Sequence, residues 1–132
     1  MPSSKLQVKR NNKKTKVETK VLRLVFRSND RAIFDFAASG VKSVETRANT
    51  SKYSNIKAGD EWQLVCGNKK VTFIIKKVKK FKSIVALFRV YPIKKVMPWV
   101  KTVKEAEAVY YSFPGYKEKI AEVGLVAFEL TK

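Results

Sequence analysis

Gly40-Val41-Lys42-Ser43-Val44-Glu45-Thr46-Arg47 is the stretch on which the reading of this chain turns. Opposite charges follow a glycine within a short span, and the two flanks differ in kind. On the N-terminal side, Ser28-Asn29-Asp30 offers helix N-cap chemistry. Arg31–Ser39 then reads as a short helix with Ile33, Phe34, Phe36 and Ala37 as its apolar face. Gly40 stands where a helix ends on a left-handed residue. Beyond it the chain reads as extended, with Ser43, Glu45 and Arg47 on one face and Val44 and Thr46 on the other. An inward Val44 turns Glu45 and Arg47 toward a cleft or toward solvent. Two readings of the charges are open: a surface ion pair of Glu45 with Arg47 or Lys42, worth little, or the lining of a binding cleft.

Working outward, Val17–Arg27 reads as a strand in which Leu22, Leu24 and Phe26 alternate with Arg23, Val25 and Arg27. Ala48–Asn55 is a polar loop, where Lys52 and Tyr53 offer a phosphate contact and a stacking surface or an ordinary exposed tyrosine. Glu61–Cys66 is a strand with Trp62, Leu64 and Cys66 on one face. Gly67-Asn68 turns it into Lys69–Lys82, whose alternation slips once near Lys76-Lys77, as at a β-bulge. Ser83 caps a helix reaching Val90, and Ile93–Trp99 is a short connection. Trp99 either covers the core or lines a cleft for a base. Thr102-x-x-Glu105 is a capping box, opening a helix with Val103, Ala106, Tyr110 and Phe113 inward until Pro114-Gly115 stops it. Tyr116–Val123 is a turn or short helical piece. Gly124–Leu130 is a strand apolar on both faces, hence central. The pattern is α+β: a small, mostly antiparallel β-barrel with two to three short helices at its side. It occupies residues 17–132, behind a basic flexible tail at 1–16.

The balance of 29 Lys+Arg against 11 Asp+Glu gives +18 over 132 residues. Charge of this size calls for a polyanionic partner, with RNA or another single-stranded nucleic acid ahead of an anionic membrane surface. From Trp62 to Lys104 there is no acidic residue, and Lys76, Lys77, Lys79 and Lys80 alternate with core positions as a one-sided basic strip. The competing reading is an edge strand guarded by lysines. The absence of histidine excludes Ser-His-Asp and Cys-His catalysis and histidine-ligated zinc. Cys66, the single cysteine, can form no intrachain disulfide and reads as a core residue. No apolar run reaches the length of a membrane span and no secretory signal is visible. The expectation is a cytoplasmic monomer, or a nuclear one, without cofactor or metal.

Gly40-x-Lys42-x-x-Glu45-x-Arg47 resembles the GxKxxExR signature of ASCH domains, in the PUA-like superfamily. Ile56–Asp60, Phe81-Lys82-Ser83, Glu105-Ala106 and Gly124–Leu130 fall where that family has its flanking features, so the resemblance spans residues 20–131. It implies a β-barrel with a cleft between barrel and helices, lined by the signature. In such a cleft Lys42 and Arg47 meet phosphate or a base edge, while Glu45 orients them or accepts from a base amine. Some members are enzymes acting on acetylated cytidine or on RNA, which makes Lys42 and Glu45 the candidate catalytic pair. This chain departs from the amidohydrolase pattern, with Glu45 where a threonine stands and no acid within Lys94–Trp99. Binding is therefore the first reading, with Lys42, Glu45, Arg47, Lys52, Tyr53, Lys76, Lys77, Lys79, Lys80 and Trp99 as its residues. A small RNA-processing enzyme is the alternative.

Overall fold

The computed structural model describes residues 19–131, so the tail read over 1–16 lies outside the described residues. The chain order is β1 (Val21–Phe26), α1 (Arg31–Ser39), β2 (Val44–Ala48), α2 (Ser51–Ser54), β3 (Glu61–Cys66) and β4 (Lys69–Phe81). It continues through α3 (Ile84–Val90), α4 (Ile93–Val96), α5 (Val103–Tyr111), α6 (Tyr116–Val123) and β5 (Leu125–Thr131). The five strands form one curled, half-barrel sheet in the order β1-β3-β4-β5-β2. β1 runs parallel to β3, and the other three pairings are antiparallel. The mostly antiparallel expectation holds, and among the described residues β1 and β2 are the edges, so the sheet they form is a half-barrel rather than a closed one.

β4 gives the sheet its curl. Its first half pairs with β3 and its second half with β5, with a register shift between Ile75 and Lys77. This is the slip read at Lys76-Lys77, and a bulge there bends the strand. The basic strip is not one-sided, however. Lys79 lies opposite Ala127 and Lys80 opposite Val126, and consecutive residues of a strand point to opposite faces.

Both faces of β5 are buried, as its sequence implies. Val126 and Phe128 join Phe34, Trp62, Leu64, Phe73 and Ile75 in one core. Leu125 and Ala127 join Leu87, Val96, Ala106 and Tyr110 in the other, beneath the helices. Cys66 is buried in the first core, as expected. The capping box at Thr102 and Glu105 is formed in both directions, and Ser83 Oγ accepts from the Ala86 N–H to start α3. Gly124 makes the closest backbone approach, since a Cβ there would lie 2.3 Å from the Phe81 carbonyl oxygen.

The helices outnumber the expectation: the described residues hold six α-helices instead of two to three. α2 occupies the predicted polar loop and α4 the predicted connection, and each is a single turn, too short to carry an amphipathic period. α1 also buries less than expected. Phe34 is buried, but Ile33 and Phe36 are exposed. Phe34 and Phe36 are two residues apart, about 200° around a helix, and cannot both face one core.

Candidate functional site

Gly40, at φ +86°, ends α1 and lets the chain reverse into β2. That reversal carries Lys42 back along the strand it introduces. Its Nζ donates to the Val44 carbonyl at 3.0 Å and to Glu45 Oε1. Glu45 Oε2 pairs with Arg47 Nη1, which also donates to the Thr46 carbonyl at 2.8 Å. Side-chain exposure is 12% for Lys42, 11% for Glu45 and 22% for Arg47. The arrangement is a largely buried cation–anion–cation triad with one surplus positive charge, not the surface ion pair that the spacing alone allows.

Behind the triad, the Arg47 guanidinium carbon lies 5.4 Å from the Trp62 ring centroid and 5.9 Å from that of Tyr53. The two rings lie 6.4 Å apart, so the guanidinium rests on an aromatic backing. On the other face of β2, Thr46 Oγ1 is hydrogen-bonded to the Tyr110 hydroxyl, tying the strand to α5. The Ala48 N–H donates to the Tyr116 hydroxyl at 3.4 Å, a contact with α6.

Burial dominates the electrostatics. It pulls the Lys42 ammonium below its ordinary pKa; Glu45 opposes that shift and Arg47 adds to it. Burial also pushes the Glu45 carboxyl up, but Arg47 and Lys42 together outweigh it and hold it below the usual range. Burial works against the Arg47 charge too, but Glu45 together with Tyr53 and Tyr116 outweighs it, keeping the guanidinium protonated. The Tyr110 phenol is raised, chiefly by burial, and stays neutral.

The triad lines a cleft of ≈ 680 Å³ between the sheet, α1 and the helical side. Its walls are apolar. Phe36 of α1 and Trp99 after α4 approach to 6.1 Å between ring centroids. Phe113, just past α5, adds another lining ring. These three are 41%, 44% and 45% exposed, leaving their faces accessible. Trp62 and Tyr110 also line the cleft, but they are buried and act as backing.

Of the residues named from sequence, Lys42, Glu45, Arg47 and Trp99 line this cleft. Tyr53 stands behind Arg47, and Lys52 and Tyr53 line a separate groove beside β1. Lys76, Lys77, Lys79 and Lys80 lie on β4 and do not line the cleft. Sequence reasoning missed Ile33, Phe36 and Phe113 as lining residues because it assigned Ile33 and Phe36 to the core face of α1 and Phe113 to that of α5. The angular separation of Phe34 and Phe36 was the available signal. Among the described residues, no group of three or more Cys, Asp and Glu is placed to hold a metal. Among the described residues, too, no helix is long and apolar enough to cross a membrane.

No protein-family model and no curated protein matches this chain. Solved structures do. The crystal structure of hypothetical protein PH0355 has a TM-score of 0.68 and 23% identity, covering 85% of this chain and 97% of its own. The solution NMR structure of protein PF0455 from Pyrococcus furiosus has a TM-score of 0.66 and 24% identity, covering 83% and 94%. At this level of identity the likeness establishes a shared small α+β fold and nothing about activity.

Proposed function

We propose that this chain is an RNA-binding module of the ASCH type, within the PUA-like superfamily. An unpaired base enters the cleft over Lys42, Glu45 and Arg47, and basic surface residues hold the backbone. The observation that carries this reading is the make-up of the cleft: accessible aromatic faces above a buried triad with one surplus positive charge. Phe36 and Trp99 offer π-faces to a base. Lys42 gives two hydrogens to protein acceptors and keeps a third for a base carbonyl or a phosphate. Glu45 has both oxygens paired with cations, so it fixes Lys42 and Arg47 in place more readily than it reads a base amine. The curled half-barrel and the position of the signature on β2 support the family reading.

The catalytic alternative draws on the same pair. Lys42, pulled below its ordinary pKa, is its support. Glu45, held low with both oxygens engaged, is a weak general base, which favours binding over chemistry.

Titration of a single-stranded RNA oligomer, followed by tryptophan fluorescence and anisotropy, tests the proposal. The expected result is saturable binding whose affinity falls steeply with salt and weakens in Lys42→Ala. Absence of binding at low salt refutes it. Deacetylation of acetylcytidine or cleavage of RNA by the wild type, lost in Lys42→Ala, replaces it with the enzyme reading.

A further inference from the structure

A second hollow, ≈ 560 Å³, runs along the outer edge of β1 and is closed on its far side by α2 and the turn that follows. β1 is an edge of the sheet among the described residues, and none of them pairs with this side of the strand. Among the described residues, Lys20, Arg23 and Lys52 line the groove, and no carboxylate does. All three side chains are exposed. Their present partners are neutral: Lys20 Nζ donates to the Asn55 carbonyl at 3.2 Å, and Arg23 Nε to Gln63 Oε1 at 3.2 Å. Lys52 Nζ lies 5.4 Å from the Tyr53 ring centroid. Three cations with no carboxylate partner among the described residues, in a concave site along an edge strand, suit a diffuse polyanion.

The groove also adjoins the cleft. Leu24 lines both hollows. Tyr53, a lining residue of the groove, carries on its ring the same Arg47 guanidinium that lines the cleft. A chain whose base sits over the triad therefore has a cationic groove close beside that site.

We infer that this groove is a backbone subsite: Lys20, Arg23 and Lys52 hold the phosphodiesters of nucleotides flanking the one whose base occupies the cleft. This inference rests on the RNA-binding reading and extends it. It makes the recognised ligand a single-stranded segment of several nucleotides rather than a lone nucleoside. It also gives Lys52 a phosphate role distinct from the base-facing role of Lys42.

The test compares the wild type, an Arg23→Ala/Lys52→Ala double variant and Lys42→Ala. Each is titrated with an oligomer of eight uridines from about 50 to about 200 mM salt, and with uridine itself. Both groove substitutions are on exposed side chains, and a far-UV circular dichroism melt confirms that the double variant keeps its fold. Losing two phosphate contacts lowers the log–log salt slope by about 1.4. The double variant's affinity then falls about sevenfold less than the wild type's over that salt range, while its uridine affinity is unchanged. Wild-type affinity and slope in the double variant overturn the groove assignment while leaving the cleft reading intact. Oligomer binding that depends on Arg23 and Lys52 but not on Lys42 upholds the groove and overturns the cleft reading. No oligomer binding by the wild type at the lowest salt overturns both. A folded double variant that also loses uridine overturns the assignment of these residues to the backbone.

Discussion

Replacing Glu45 with glutamine keeps the side chain's size and removes the one carboxylate among the described residues lining the cleft. Lys42 and Arg47, 12% and 22% exposed, are then left beside each other without a counterion. Breaking a buried pair by removing one partner costs about 3–5 kcal/mol. Arg47 retains enough exposure to rehydrate in part, which places the expected loss near the lower bound, about 3 kcal/mol. Against a typical total of about 5–15 kcal/mol this is a large fraction, and it corresponds to a fall in Tm of roughly 10 °C. Lys42→Met removes one cation and leaves the Glu45–Arg47 pair, so it should cost no more than about 1 kcal/mol. Combining the two substitutions should recover part of the loss, because Arg47 then stands alone without a like-charged neighbour. Urea unfolding followed by tryptophan fluorescence and far-UV circular dichroism measures all three variants. A loss below about 1 kcal/mol in Glu45→Gln, or an equal loss in Lys42→Met, would falsify the assignment of Glu45 as the buried counterion of two cations.

Further outcomes follow from the same geometry. The folded-state pKa of Lys42 lies below its ordinary value of 10.5, so between the two values the unfolded chain binds the extra proton. Stability therefore rises with pH through that window, and Lys42→Met should lose that part of the rise in urea midpoints measured toward pH 10.5. Glu45 has the same sign at acid pH: its contribution is present above its unfolded value of 4.5 and is lost as pH falls through the lower folded value. The acid limb of the stability curve should accordingly flatten in Glu45→Gln. Gly124→Ala would place a Cβ 2.3 Å from the Phe81 carbonyl oxygen at φ +74°, so denaturant unfolding should show a loss of at least about 2 kcal/mol. Thr102→Ala removes the acceptor for the Glu105 N–H and should cost about 1 kcal/mol by the same assay.

Much of the local structure was legible because its causes are local. Gly40, the Thr102 capping box, the Gly67-Asn68 turn and the slip near Lys76 each depend on residues within a few positions of one another. Alternation in Trp62, Leu64 and Cys66 announced a strand with one buried face, and the two-sided apolar run of Gly124–Leu130 announced a central one. α2 and α4 escaped notice because a single helical turn leaves no period to read.

By itself, the sequence determined the strands, the larger helices, the strong positive charge and the presence of Lys42, Glu45 and Arg47 at a spacing that permits ion pairing. Tertiary structure alone decided what that spacing means. Burial of Glu45 depends on elements remote in sequence: Trp62 behind Arg47, Tyr110 reaching Thr46 from α5, and β5 pairing along β2. Phe36 and Trp99 meet across the cleft although they are far apart in the chain, and no local pattern encodes their approach. The physical reason is the range of the interactions. Backbone geometry and capping act over one turn or one strand pair, whereas the desolvation that turns an ordinary ion pair into a buried triad is set by everything packed around it.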